Sequence, residues 1–270
     1  MAQAVPTKFE VVDKSFWELV SRDVKAKRIA TGFRFTEGPV WHRNGYLLFS
    51  DIPADTIFKW TPDGGVSIFR KPSGQSNGLT YDSKWRLIAC EHRTRRVTRT
   101  EANGLLTVLA ERYNGKRLNS PNDVVVKSDG SIYFTDPPYG VRPQERELAF
   151  QGVYRIGTDG RLTLLIDDFK RPNGLAFSPD EKHLYIDDSA RMHVRIFDIR
   201  PDGTLTRGRI FADMRSDEPG VPDGMKVDAE GNLYVTGPGG LWIFDQHGRL
   251  LGKIKLPEVP ANCAFGGKDY

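Results

Sequence analysis

SPNDVVVKSDGSIYFTDPPYG, residues Ser120–Gly140, reads as a β-hairpin. Two β-rich runs, VVV and IYFT, flank KSDGS, a turn built on Asp-Gly. Asn122 precedes the first run and Asp136 closes the second, 14 residues later. That interval is two short strands and a turn, so both polar ends return to the same side of the sheet.

The pattern recurs along the chain. Its members are EGPVWHRNGYLLFSD, NGLTYDSKWRLIACE, NDVVVKSDGSIYFTD, NGLAFSPDEKHLYIDD, DGMKVDAEGNLYVTG and a shorter NCAFGGKDY. They start at Glu37, Asn77, Asn122, Asn173, Asp223 and Asn262, at spacings of 40, 45, 51, 50 and 39 residues. Periods of this size, with several strands in each, point to a propeller. A second strand pair follows most members, as in GVYRIGTDGRLTLLID, which makes about four strands per repeat. The expected fold is therefore all-β: a six-bladed β-propeller of four-stranded blades around a central, metal-containing channel. Residues 1–270 are read as one domain, with 1–31 as an N-terminal extension. The last repeat stops at Tyr270, so the sixth blade is expected to be incomplete at the C-terminus, with Val24–Thr36 able to offer it an outer strand.

Composition narrows the function classes. The chain is 39% apolar and has no run of about 18 apolar residues, so no membrane partner is expected. The opening MAQAVPTKFEVVDKSFWELV lacks a secretory apolar core, which reads as cytoplasmic. Cys90 and Cys263 form no CxxC pair and fit free thiols. Net charge is a mild +4. The one basic cluster, RTRRVTR (Arg93–Arg99), has no interleaved aromatics, so a strand with solvated arginines is favoured over a nucleic-acid surface.

In a propeller the first strand of each blade lines the channel. Glu37, Asn77, Asn122, Asn173, Asp223 and Asn262 then converge on one mouth, with Asp51, Glu91, Asp136 and Asp188 at the return positions. Such a ring of oxygen donors suits a hard divalent cation, and calcium tolerates its irregular geometry better than magnesium. No nitrogen or sulfur cluster accompanies it, which disfavours zinc. Asn-Gly and Asp-Gly are also ordinary turn formers, but Glu37 in EGP is a poor one. No G-x-S-x-G nucleophile elbow and no P-loop occurs, so the chemistry expected is metal-assisted.

Together FTEGPVW, SPNDVVVKSDGSIYFTDPPYG, RPNGLAFSPDEKHLYIDDS, VPDGMKVDAEGNLYV and ANCAFGG resemble the SMP-30/gluconolactonase/luciferin-regenerating-enzyme family, over roughly Gly32 to Gly267. The resemblance implies a six-bladed propeller holding a divalent metal, usually Ca2+, with Mg2+, Mn2+ or Zn2+ as substitutes. It implies Glu37, Asn122, Asn173 and Asp223 as metal ligands. It implies hydrolysis of sugar lactones such as glucono-1,5-lactone, a small-molecule partner, with Asp223 as general base. Asn77, Arg117, Asn119, Asp136 and Asn262 are left as substrate-binding candidates. The long loop Pro137–Gly152, with Arg142 and Arg146, is expected to shape substrate choice. Two other readings stand beside this one: phosphotriester or other ester cleavage on the same scaffold, and a non-catalytic propeller that binds a partner.

Overall fold

The computed structural model describes residues 3–268. Its main sheets are five antiparallel blades in chain order. Blade I comprises Thr36–His42, Tyr46–Asp51, Thr56–Thr61 and Gly65–Arg70. Blade II comprises Ser76–Tyr81, Leu87–Glu91, Arg96–Thr100 and Leu106–Ala110. Blade III comprises Val124–Val126, Ile132–Asp136, Gly152–Ile156 and Leu162–Ile166. Blade IV comprises Pro172–Phe177, His183–Asp188, His193–Asp198 and Arg209–Asp213. Blade V comprises Met225–Val227, Leu233–Gly237, Gly240–Phe244 and Leu250–Lys255.

Each blade is a meander, because tight polar turns join neighbouring strands. In the hairpin read first from the sequence, Val124 faces Phe134 and Val126 faces Ile132. Its turn closes with Gly130 at φ 89°, a conformation glycine adopts freely.

The core lies between blades. Successive side chains on a strand point to opposite faces, so each middle strand feeds two interfaces. Phe134 packs toward blade II with Ile88, Cys90 and Val97, while Tyr133 packs toward blade IV with Leu175, Leu184 and Ile186. Tyr185, Met225, Val235 and Trp242 fill the next interface. All of these side chains are buried.

The expected six blades are corrected to five. After Lys255 the described chain makes no ladder. Its backbone instead docks on blade V, where the Gly224 N–H donates to the Ala261 carbonyl at 2.9 Å. A blade needs hairpins, and this segment pairs with no partner strand. A cleft of about 570 Å³, lined by Phe33, Phe49, Trp60, Leu256 and Val259 among others, runs between it and blade I. The N-terminal region also behaves differently from expectation. Lys8–Val11 adds a fifth strand to the outer edge of blade V, Lys8 opposite Lys255. Lys27–Arg28 pairs only with Gln3–Ala4. Phe16, on the short helix Phe16–Leu19, is buried against Ile243 and Leu251 of blade V. Among the described residues no helix is long and apolar enough to cross a membrane.

Four of the first-position residues, Glu37, Asn77, Asn173 and Asp223, are followed by glycine, and the reason is packing. A Cβ on Gly174 would lie 2.1 Å from the Asp223 carbonyl oxygen, and one on Gly38 would lie 2.1 Å from the Asn77 carbonyl oxygen. The innermost strands thus approach so closely that only a hydrogen fits between them. Hydroxyls lock the same contacts. Ser50 donates to the Asn77 carbonyl at 2.9 Å and Thr135 to the Asn173 carbonyl at 2.7 Å. Thr236 donates to the Ala261 carbonyl at 2.8 Å. Gly174→Ala is therefore expected to destabilise the fold by about 1–3 kcal/mol. Urea denaturation measures this, and an unchanged midpoint would show that the blades are not pressed together at the hub.

Candidate active site

The first-position residues meet at the hub as a continuous chain of side chains. The Asn77 Nδ2 donates to Asn122 Oδ1 at 2.7 Å, and the Asn122 Nδ2 donates to Asn173 Oδ1 at 2.5 Å. The Asn173 side chain hydrogen-bonds Asp223, and the Asp223 and Glu37 carboxyl groups share a hydrogen bond. The Asn262 Nδ2 returns to Glu37 Oε2 at 2.9 Å. Six residues spread over 225 positions, Glu37 to Asn262, are thus joined in one chain of contacts around the hub. Glu37, Asn77, Asn122 and Asn173 are buried; Asp223 and Asn262 are half-buried.

Two carboxyl groups placed together inside a protein cannot both ionise without a compensating charge. Burial pushes Glu37 up to about 7, against the hydrogen bonds from Asn262 and Gly38. Burial, then the charge of Glu37, pushes Asp223 well above the usual carboxylate range. The positive charge in reach of Glu37 is Lys226, whose ammonium donates to the Met225 carbonyl at 2.8 Å. The donor set fits a hard divalent cation: carboxylates and amide oxygens in a buried ring, with too little positive charge of the protein's own. Among the described residues no group of three His, Cys, Asp or Glu side chains is placed to hold a metal ion by itself. Amides supply the rest of this ring.

The return-position acids do not join it. Asp136 is buried and accepts the Asn119 and Ser120 N–H groups, each at 2.7 Å. Asp51 accepts the Arg34 N–H at 2.9 Å, and Asp188 accepts the Lys170 N–H at 2.8 Å. Each of these three carboxylates ties down the segment that leads into its own blade's first strand. Glu91 is held by Arg70, Arg96 and Thr98. Of the substrate-binding candidates, Asn77 and Asn262 stand in the ring. Asn119 is buried and donates to the Asp136 and Phe150 carbonyls, so it and Asp136 are brought to each other rather than to the hub. Arg117 directs its guanidinium at the Thr94 carbonyl, 2.9 Å away. The arginines of RTRRVTR are not simply solvated. Arg95 is buried on the Leu118 and Asn119 carbonyls, Arg96 pairs with Glu91, and Arg99 with Glu101. Cys90 and Cys263 are free thiols, as expected.

Several residues at the mouth were not singled out as site residues from the sequence. His92 Nε2 lies 3.1 Å from Asn122 Oδ1 and 3.3 Å from Asn77 Nδ2. Burial lowers its pKa to about 4, so the imidazole is neutral at neutral pH. Ser189 accepts from Asn173 Nδ2 at 3.0 Å and donates to the Pro222 carbonyl at 2.7 Å. Tyr139 reaches the ring from the long loop, with its hydroxyl 3.3 Å from Asn173 Nδ2. Arg142 of that loop instead pairs with Glu145 at the surface. The signal for Tyr139 was its place in PPYG, directly after a return acid.

This geometry sits on a chain whose residues 35–270 match the model of the SMP-30/Gluconolactonase/LRE-like region. The chain belongs to that family. Within it, a gluconolactonase of Zymomonas mobilis subsp. mobilis is 39% identical over 268 residues, covering 89% of this chain and 75% of the relative. A pentonolactonase of Haloferax volcanii is 27% identical over 249 residues, covering 89% and 80%. The solved structure of a gluconolactonase from Xanthomonas campestris superposes with a TM-score of 0.90 at 36% identity, covering 98% of this chain and 91% of that one. The family resemblance read from the motifs is thus borne out.

One buried acid breaks the repeat. The position before the return residue is Ser50, Cys90, Thr135, Asp187 and Thr236 in the five blades. Where it is serine or threonine, its hydroxyl donates to the backbone of the next segment at the hub: Asn77 for Ser50, Asn173 for Thr135 and Ala261 for Thr236. Asp187 is fully buried, and neither carboxylate oxygen has a well-formed hydrogen bond; the Gly174 N–H is a weak neighbour. Burial, followed by the charges of Asp223, Asp123 and Asp188, raises it well above the usual carboxylate range. A raised carboxyl pKa means that the folded state holds the proton more tightly than the unfolded chain. Its contribution to stability is full below about pH 4 and declines as pH rises. Asp187→Thr copies blades III and V and removes that decline. With a chelator present, its melting temperature is expected to exceed the parent's by a margin that widens from pH 5 to pH 8; a constant margin would contradict this account.

Proposed function

We propose that this protein is a hydrolase that opens sugar lactones such as glucono-1,5-lactone, using a divalent cation, calcium, held by Glu37, Asn122, Asn173 and Asp223. The observation that carries the reading is the hydrogen-bonded chain at the hub, which holds two elevated carboxyl groups against each other among amide side chains, with little positive charge nearby. The gluconolactonase and pentonolactonase relatives support lactone hydrolysis as the reaction. Calcium suits the set because every donor is oxygen and the amides are not arranged octahedrally by any one element. When bound, the cation would polarise the lactone carbonyl.

The chain's own residues have separate tasks. Asp223 is half-buried, within reach of solvent, and takes the proton of the attacking water as general base. Glu37 beside it raises the cost of its negative charge and so its basicity. The Asn173 amide orients the Asp223 carboxylate. Asn77 and Asn262 complete the rim, where the lactone oxygens would dock. The neutral His92 supports Asn77 and Asn122 without adding charge. Arg117, Asn119 and Asp136 act indirectly, by holding the segment that leads into Asn122.

Metal analysis of the purified protein, coupled to a pH-drop assay on glucono-1,5-lactone, tests the reading. Chelation should abolish turnover and added calcium should restore it. Asp223→Asn should lower kcat by about 100-fold or more while leaving the far-UV circular dichroism unchanged. Full activity in that variant, or faster cleavage of a phosphotriester than of the lactone, would discard the assignment. Protonation adds an independent check. Glu37 is held up to about 7, so protons compete with the cation below that pH. Calcium affinity should fall between pH 7 and pH 5, with proton release in calorimetry repeated across buffers; pH-independent binding would place the cation elsewhere.

A further inference from the structure

The loop after Ile132–Asp136 is fastened on several sides. Val141 and Leu148 are buried. The Gly140 N–H donates to Ser120 Oγ at 2.9 Å, and Arg95 Nη1 donates to the Glu145 carbonyl at 3.1 Å. A Cβ on Gly140 would stand 2.6 Å from His92 Cβ, so the backbone presses directly on the wall of the mouth. Tyr139 is thereby fixed. Its hydroxyl accepts from Asn173 and donates to Ser189 Oγ, both at 3.3 Å, and its ring stacks beside His92 at 6.5 Å with planes 30° apart. Yet the side chain remains 42% exposed. The ring is thus held at the edge of the mouth, in reach of solvent.

Arg171 stands over that ring, its guanidinium 5.5 Å from the centroid. Its backbone N–H is tied to Asp188 Oδ1 at 3.1 Å, which fixes the base of the side chain. The neighbouring arginines are consumed by carboxylates, Arg191 by Asp188 and Arg195 by Asp168. Among the described residues Arg171 has no carboxylate partner. Packing on an aromatic face holds a guanidinium in place while leaving its N–H edge free. That free fork matches a carboxylate or phosphate in a two-point contact. The acidic hub alone would repel such a group.

We propose that Arg171, seated on the Tyr139 ring, determines specificity: its guanidinium binds an anionic exocyclic group of a lactone held at the hub. The favoured substrates are then sugar lactones bearing a carboxylate or phosphate remote from the ester. This rests on the lactonase reading and deepens it.

The test compares kcat/KM for a neutral aldonolactone, the same lactone phosphorylated on its exocyclic oxygen, and a lactone with an exocyclic carboxylate. The unmodified protein should prefer at least one anionic substrate, and the two anionic arms tell which group it reads. Arg171→Met should lower the anionic-to-neutral ratio by about 10–100-fold, the worth of a charged hydrogen-bonded contact, mainly through KM. Arg171→Lys should keep part of the ratio, because charge remains while the fork is lost. Tyr139→Ala, which removes the seat of the guanidinium, should lower the anionic-to-neutral ratio in the same direction. An equal effect of Arg171→Met on neutral and anionic lactones overturns the proposal, as does a preference for the neutral one. Calorimetry with the ring-opened acids, phosphorylated and plain, separates this from the reaction itself. If no lactone is hydrolysed, the lactonase reading fails alone; if Arg171→Met binds the phosphorylated acid as tightly as the unmodified protein, the specificity proposal fails.

Discussion

The close approach of the innermost strands governs this molecule. At the hub, backbone passes against backbone with room only for a glycine hydrogen, as at Gly38 and Gly174. That approach pulls one polar residue from each repeat to a common axis. The serine and threonine hydroxyls at the ends of the second strands latch it by donating to a carbonyl of the next blade or, for Thr236, of the C-terminal segment. Apolar side chains between blades supply the bulk of the burial, but they are indifferent to what the hub carries. Packing makes the propeller, and the glycine contacts decide how tightly its polar residues meet.

That tightness has an electrostatic consequence. Glu37 and Asp223 lie against each other, with Asp123 and Asp187 close enough to raise their cost further. A water-filled channel would screen such charges; this hub buries them. Lys226 offsets part of the negative charge on Glu37 and Asp123. Asp123 stands where four of the other repeats have glycine, and one of its carboxylate oxygens has no hydrogen-bond partner. Clustered acids of this kind are a stability liability that only a functional use makes worth keeping.

The mouth is organised by a division of labour among acids that look alike in sequence. First-position acids face the axis. Return-position acids face the backbone of the incoming segment, as Asp136 faces Asn119 and Ser120. The difference follows from strand geometry. A residue at the end of the second strand stands one strand-width away from the channel, where the N–H groups of the preceding connection lie unpaired. A carboxylate there satisfies two donors at once, which a lactone could not reach. The same connection carries Arg171 outward, leaving its guanidinium over Tyr139 instead of on an acid.

Local signals were enough for much of this. Alternation within each hairpin, the Asp-Gly and Asn-Gly turns, and the recurrence of the motif identified the blades, because strand period and turn chemistry are properties of a few adjacent residues. Convergence of Glu37, Asn77, Asn122, Asn173, Asp223 and Asn262 was likewise legible, since equivalent positions in a propeller share an axis. The number of blades was not: six motif starts do not make six sheets when the last start pairs with no hairpin. Nor were the roles of Asp136 and Asn119, the pairing of the Arg93–Arg99 cluster, or the arrival of Tyr139 and His92 beside the ring. Those depend on which groups from distant repeats become neighbours and which are shut away from water. Hydrogen bonding and desolvation act across space, so only the assembled fold could decide them.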